Sequence, residues 1–302
     1  MLKKMKSYLM PVAMLTGIAL HEYVGQLSFL MEYLLFVMLL FTYSKISISA
    51  IRFTAMHFWL LLIQVGGSFI VYLALKPINE ILAQAAMISI LAPTATAAPV
   101  IAGMLKGNVA SLTAYSLLSN LTVAIVAPVY FSYVGYNELP FLTSVFEIGK
   151  RVAFLLIVPF FISLIINKFL PQLGKQIQAK SGLSFYLWII ALTVVTGKTV
   201  QFIIEQGNTH IVLEIAIGLA SMFICIGQFV IGRRIGRKLD DTVAGGQGLG
   251  QKNTVLAIWM SLMYLHPLAS IGPGAYVLWQ NSVNSYQVWK QNKSSKLKST
   301  HK

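Results

Sequence analysis

Lys252 interrupts an otherwise apolar region, in the run Gly250-Gln251-Lys252-Asn253-Thr254. An ammonium near the middle of a bilayer is costly by at least a few kcal/mol, so such residues are rare and usually functional. It can donate to three oxygens. No acidic residue in the neighbouring apolar segments is an obvious partner, since Asp240 and Asp241 stand about three turns upstream. Carbonyl or amide oxygens are the expected acceptors, Gln64 foremost among them. Two irregular stretches then need explaining. One is Ala92-Pro93-Thr94-Ala95-Thr96-Ala97-Ala98-Pro99, and the other runs Gly245-Gly246-Gln247-Gly248-Leu249-Gly250 into Lys252. Pro93 and Pro99 remove backbone donors and clash with the preceding turn. Four glycines in six residues weaken a helix comparably. Both stretches are therefore expected to break their helices near mid-membrane.

Backbone groups freed by a break cannot face lipid, so they must be buried in protein or line a watery cavity. Half-helix N-termini then present N–H groups and a positive dipole end, which suits a carboxylate or another anion. Thr94 and Thr96 either bond within their own helix or line such a site. Ser119 and Asn120 read as interhelical hydrogen-bonding residues, Glu32, Glu214 and His210 as outer-interface residues, and His57 and Trp59 as inner-interface ones. No residues have the spacing of a metal site, a nucleophile with its base, or a phosphate loop, so no enzyme and no resident cofactor is expected.

These residues must be held by membrane helices. Of 302 residues, 57% are hydrophobic and only 11% charged, and mean hydropathy is +0.73, far too apolar to coat a soluble globule. Net charge is +14, but the basic residues sit in short clusters between apolar blocks rather than as a stripe, which argues against a nucleic-acid partner. The single cysteine, Cys225, excludes an intramolecular disulfide framework. The N-terminus resembles a signal peptide without a cleavage site, and reads as a first span. Apolar stretches of spanning length fall near 8–24, 27–43, 54–75, 79–104, 108–132, 148–168, 182–203, 210–232, 239–263 and 266–288. The residues from Trp289 form a polar basic tail, 289–302. With ten spans, eighteen of the 23 Lys and Arg fall on one side and four on the other, Lys76, Lys150, Arg151 and Lys198, leaving Lys252 within a span. That bias predicts cytoplasmic N- and C-termini in a cell's inner (plasma) membrane. Ten spans divide into five plus five, and an odd number per half inverts one half, the logic of secondary transporters. The fold class is all-α: a polytopic membrane domain over 1–288 with broken, crossing fourth and ninth spans.

Gly107-Asn108-Val109-Ala110, after the Pro-containing break and Lys106, resembles the segment joining the fourth and fifth helices of the bile acid:sodium symporter family. Gly250-Gln251-Lys252-Asn253-Thr254 is similar to that family's Gly-Met-Gln-Asn-Ser element. The resemblance covers nearly the whole chain. It implies a panel domain (8–43 and 148–203), a core domain (54–132 and 210–288), and a substrate in the crevice between them. It also implies substrate docking at Thr96 and Asn253. The family's two sodium ions are held chiefly by side chains that this chain lacks: the ninth-helix glutamate falls on Gly248 and its glutamine on Lys252. Carbonyl ligands would fall around Leu249 and Gln251. The Ser-Asn pair falls on Ala98 and Pro99, and the fifth-helix hydroxyls on Leu112 and Ser116. Gln64 alone is kept as the third-helix glutamine. A hard cation needs several oxygens, so two-sodium coupling is not expected, and Lys252 stands where an ion would.

The reading is a secondary transporter of a small organic anion, a bile acid, pantoate-like acid or other carboxylate, working by alternating access. No obligate protein partner is expected. Two alternatives remain: a sodium-coupled symporter using backbone ligands, and a transport-dead sensor on the same fold, for which the tail after Trp289 is short.

Overall fold

The computed structural model describes residues 2–46, 51–95, 97–135, 139–206 and 210–300, and among these the regular elements are helices. In order they are α1 (Leu2–Ala19), α2 (His21–Val24), a 3-10 stretch (Gly25–Leu30), α3 (Met31–Tyr43), α4 (Ala55–Leu75), α5 (Glu80–Leu91), α6 (Ala98–Met104) and α7 (Val109–Val134). There follow α8 (Phe141–Leu156), α9 (Val158–Phe169), α10 (Pro171–Ala179), α11 (Leu183–Gln206), α12 (Ile211–Lys238), α13 (Thr242–Gly250), α14 (Thr254–Tyr264), a 3-10 turn (Pro267–Ser270) and α15 (Ile271–Thr300).

Six helical runs among the described residues are long and apolar enough to cross a membrane: His21–Tyr43, Ala55–Leu75, Val109–Val134, Phe141–Phe169, Leu183–Glu205 and Ile211–Lys238. They coincide with the second, third, fifth, sixth, seventh and eighth expected spans. The fourth and ninth are each split into two shorter helices, α5 with α6 and α13 with α14. This is an all-helical protein of the membrane-spanning class.

Two boundaries differ from expectation. The sixth span starts at Phe141, directly after Pro140, which cannot donate to a preceding turn but sets up a helix start well. Lys150 and Arg151 therefore lie inside α8 rather than in a connecting segment, and Lys150 pairs with Glu147 at 2.9 Å on an exposed face. At the other end, α15 runs from Ile271 past Trp289 to Thr300, so the basic residues there are helical.

The chain forms two compact units. One comprises Met1–Ser47, Leu121–Ala216 and Val255–Ile271, and the other Ile48–Asn120, Ile217–Thr254 and Gly272–Lys302. The division falls inside α7, between Asn120 and Leu121, and inside α12, between Ala216 and Ile217, and just after the first residues of α14 and α15. The reason lies in what each half-helix touches. The first half of α7 bonds to Gln64 and Thr94 through Tyr115, Ser116, Ser119 and Asn120. Its second half stacks Phe131 on Tyr264 and sets Pro128 against Gly149.

In the first unit α11 is the central element, with α1 and α3 packed on it. Gly17 and Gly197 allow close contact there: a Cβ on Gly17 would lie 2.6 Å from the Thr193 carbonyl oxygen. Lipid gives no hydrophobic drive between helices, so such small-residue crossings supply the packing. In the second unit α4 pairs with α5, and α13 packs on α4 and α6. Its core gathers Met56, Leu60, Ala98, Leu112, Tyr115 and Leu249, all buried.

The expectation that glycines break the ninth span is corrected. Gly245, Gly246 and Gly248 lie inside α13 and Gly250 is its last residue. Their role is proximity. A Cβ on Gly245 would fall 2.4 Å from the Gly232 carbonyl oxygen, one on Gly246 2.4 Å from Arg233 Cγ, and one on Gly250 2.4 Å from the Phe229 ring. Packing against α12 outweighs the roughly 1 kcal/mol that each glycine forfeits in helix propensity. The break comes immediately afterwards, at Gln251–Asn253.

Candidate functional site

The site lies wholly within the second unit, where the two breaks pair. The Ala95 N–H donates to the Gln251 carbonyl (2.9 Å) and the Asn253 N–H to the Pro93 carbonyl (2.8 Å), so Thr94 and Lys252 oppose each other in an antiparallel bridge. Local sequence causes this. Pro93 forces Ala92 out of the helical region, to φ −42 and ψ 135, and α5 ends. Pro99 does not break a helix; it sits in the first turn of α6, where a missing N–H costs nothing.

Ending α5 this way strips its last carbonyls of their intrahelical donors, and buried carbonyls must find others. Each of five consecutive ones does. Ile90 O accepts from Lys252 Nζ at 2.7 Å. Leu91 O and Ala92 O accept from Gln64 Nε2 at 2.8 and 3.1 Å. Pro93 O takes the Asn253 N–H. Thr94 O lies 3.4 Å from both Ser116 Oγ and Asn120 Nδ2. On the other strand of the crossing, Gly248 O accepts from Thr94 Oγ1 (2.7 Å) and Gly250 O from Tyr276 OH (2.9 Å). Lys252 N–H is taken by Gln280 Oε1 at 2.9 Å.

Several expected roles change. Gln64 does not contact Lys252: its oxygen accepts from Tyr115 OH and Ser119 Oγ, both at 2.9 Å, and its amide is occupied by the α5 carbonyls. Lys252, 1% exposed, reaches the end of α5 instead, and forms no ion pair among the described residues. Thr94 is fully buried with its hydroxyl committed to Gly248, so it locks the crossing rather than facing a ligand. Leu249 is core. Gln251 offers its side-chain oxygen to Asn284 Nδ2. A glutamate at position 248 has no room, because a Cβ there would meet Tyr115 at 2.8 Å and Leu60 at 3.3 Å. Asn253 is 8% exposed at the crossing. Thr96 lies outside the described residues.

Two groups were missed in the sequence. The first is a polar face on α15: Tyr276, Gln280, Asn284 and Gln287 recur at helical spacing and all turn toward α13 and its break. That period of four, four and three was readable in an otherwise apolar span. The second is a cavity of about 410 Å³ lined by Arg52, Thr54, Asn108, Ser111, Asp240 and Asp241. The starts of α4, α7 and α13 meet it, capped by Thr54 with His57, by Asn108 (3.0 Å to Ser111 N) and by Asp241 (3.3 Å to Ala244 N). Here His57 Nε2 lies 3.0 Å from Ser111 Oγ. The pair is not an activated nucleophile. Nδ1 accepts from the Thr54 N–H at 3.2 Å, which assigns the ring proton of a neutral imidazole to Nε2 and leaves no lone pair for the serine proton.

The arrangement thus ties the two broken helices together through Lys252 Nζ on Ile90 O, Thr94 Oγ1 on Gly248 O and the two backbone bonds of the bridge, while the Gln64 amide ties α4 to the end of α5. No protein-family model matches the chain, and no curated protein matches it. Fold and site define a class: an α-helical membrane protein with a polar crossing of broken helices inside one unit.

Proposed function

We propose that this protein is a secondary transporter of a small organic anion, working by alternating access in a ten-span, five-plus-five inverted arrangement like that of the bile acid:sodium symporters. It would lie in the plasma membrane with both termini in the cytoplasm, as the bias of its basic residues favours. In this reading Lys252 takes the place of a coupling cation. The observation that carries it is the Lys252 ammonium on Ile90 O, at the negative end of α5, without a carboxylate pair among the described residues. Helix C-termini in broken transporter helices are where cations are held. An anion docks beside it in this proposal, at Asn253 and Thr96.

Sodium coupling through backbone carbonyls fits less well, since Ile90, Leu91, Ala92, Pro93, Gly248 and Gly250 already accept from protein donors. Uptake by the purified protein in liposomes, with sodium or with choline in its place, tests the reading. Uptake independent of sodium is the expected result. Strong sodium-driven uptake would reject the substitution of an ion by Lys252, and no uptake of any carboxylate would reject transport.

A further inference from the structure

We propose that the proton is the coupling ion of this protein: Lys252 binds and releases it, and exchanges it with the cytoplasmic face along a stripe of carboxamides between α13 and α15. The inference rests on the transporter reading above and names the ion that takes part.

The Lys252 side chain is buried. As an ammonium it carries three N–H donors, and the oxygen that accepts from it is Ile90 O at 2.7 Å. No carboxylate lies within ion-pair distance of it among the described residues. Two titratable groups stand on the elements packed around it. Cys225 of α12 acts on it electrostatically, and Tyr276 of α15 has its hydroxyl on Gly250 O. A thiol and a phenol do not balance an ammonium, and α5 contributes backbone carbonyls. Release of the proton leaves a neutral amine with two N–H groups and a lone pair, and takes an unpaired charge out of the bilayer interior. The bond to Ile90 changes with it, because a charge-assisted hydrogen bond is about twice as strong as a neutral one. Protonation therefore tightens the tie between the break after α13 and the end of α5, and release slackens it. A bound cation would couple to the crossing in the same way.

The proton needs a route, and carboxamides form one, all within the second unit. At its half-buried end Arg233 Nη1 donates to Gln287 Oε1 at 3.4 Å. Gln247 Nε2 donates to Gln287 Oε1 (3.3 Å) and to Asn284 Oδ1 (2.9 Å), and Asn284 Nδ2 donates to Gln251 Oε1, beside Lys252. Two buried oxygens along it have no partner among the described residues. Gln247 Oε1 lies midway, and Gln228 Oε1 lies near the lysine, since Gln228 Nε2 is on Ser89 O (3.3 Å), the carbonyl before Ile90. Chemistry assigns both orientations. An arginine only donates, so Gln287 presents its oxygen there and Gln247 its nitrogen; a backbone carbonyl only accepts, so Gln228 offers Ser89 its nitrogen. Buried acceptors of this kind are met by water, and water carries the proton between Lys252 and bulk solvent. The Arg233 end belongs to the basic cluster Arg233, Arg234, Arg237 and Lys238, which marks the cytoplasmic side in the reading above.

The first test needs no substrate. The full chain, with its lysines labelled with carbon-13 at Cε, is placed in lipid nanodiscs, and Lys252→Met or Lys252→Gln identifies the Lys252 signal by its loss. That signal should move as pH is varied across the range in which the protein stays folded. A signal fixed at the ammonium position overturns the proposal, whatever the protein transports. In heavy water the isotope shift of the same signal reports the arrival of solvent deuterons. Arrival should be about tenfold slower in Gln247→Leu, the scale of one lost hydrogen bond to water, and unchanged in Ser282→Ala on the opposite face of α15. Equal rates in Gln247→Leu and the unaltered chain overturn the carboxamide route. Gln287→Leu, at the half-buried end, replaces Gln247→Leu should that variant fail to fold.

The second test uses sodium-free liposomes with radiolabelled pantoate and, separately, radiolabelled taurocholate outside, uptake into protein-free vesicles being subtracted. The proton takes the place of a co-transported cation, so acid outside should drive uptake. A gradient of one pH unit is a factor of about ten in proton activity, and accumulation of a carried acid should rise by up to that factor over equal pH. Uptake indifferent to the gradient overturns proton coupling and leaves transport intact. Uptake of neither acid overturns the transporter reading and the coupling with it, while the titration of Lys252 still decides the proton site.

Discussion

Lys252 Nζ donates to the carbonyl oxygen of Ile90 at 2.7 Å, linking the break after α13 to the last turn of α5, 162 positions away in the chain. A helix C-terminus carries roughly half a negative charge, and Pro93 guarantees that the carbonyls there stay open to an outside donor. The ammonium answers both conditions, and the expected consequences are separable.

Lys252→Met keeps the length of the side chain and removes its charge. The lost bond to a carbonyl is worth about 1.5–3 kcal/mol, but the desolvation of a buried ammonium is relieved with it. Thermal stability in detergent should change little while anion uptake collapses, even in high sodium. Retained uptake with a large fall in Tm would contradict both halves. Lys252→Gln should not restore sodium dependence, because Tyr115 and Leu60 fill the space beside Gly248.

Gly248→Ala places a methyl 2.8 Å from the Tyr115 ring. Overpacking of this kind costs about 1–3 kcal/mol, or roughly 2–4 °C of Tm per kcal/mol in a protein of this size. Gly274→Ala is the control, since a Cβ there meets nothing within 4 Å. It should be neutral or slightly stabilising, and equal effects at the two positions would refute the packing account of the α13 glycines.

Gln280→Leu leaves the buried Lys252 N–H without its acceptor, at a cost of about 1–3 kcal/mol. Amide hydrogen exchange at Lys252 should speed up, whereas a mutation on the opposite face of α15, such as Ser282→Ala, should leave it unchanged.

Thr94→Val removes the donor to Gly248 O, and Thr94→Ser keeps it. The valine variant should lose about 0.5–1.5 kcal/mol relative to wild type and the serine variant less. Cys225, buried in α12 and the chain's only cysteine, provides a built-in readout: a maleimide should label it only on opening, faster in Thr94→Val.

Much of the frame was legible in the sequence. Six apolar runs announced six spanning helices because their length and composition follow from bilayer thickness alone. The interruption at Pro93 was equally plain, since a proline lacks its N–H whatever surrounds it. The buried position of Lys252 was legible for a third reason, as no other Asp, Glu, Lys or Arg lies between Asp241 and Lys290. The polar stripe of α15 was present too, as a helical period at Tyr276, Gln280, Asn284 and Gln287, but it went unread among more conspicuous motifs.

Sequence by itself determined that the chain is helical, apolar enough for a membrane, and interrupted after Leu91, because these depend on residue type and on neighbours along the chain. Tertiary structure decided the rest. Whether Gly245–Gly250 would break or stay helical depended on Gly232, Arg233 and Phe229 lying against it, which local propensity cannot report. Gln64 was the expected acceptor for Lys252 and a backbone carbonyl the unspecified alternative; the bond fell to the Ile90 carbonyl, with the Gln64 oxygen taken by Tyr115 and Ser119 from a third helix. A hydrogen bond is short and directional, so its partner is set by which oxygen arrives within about 3 Å, and only the packing of four helices brings it there.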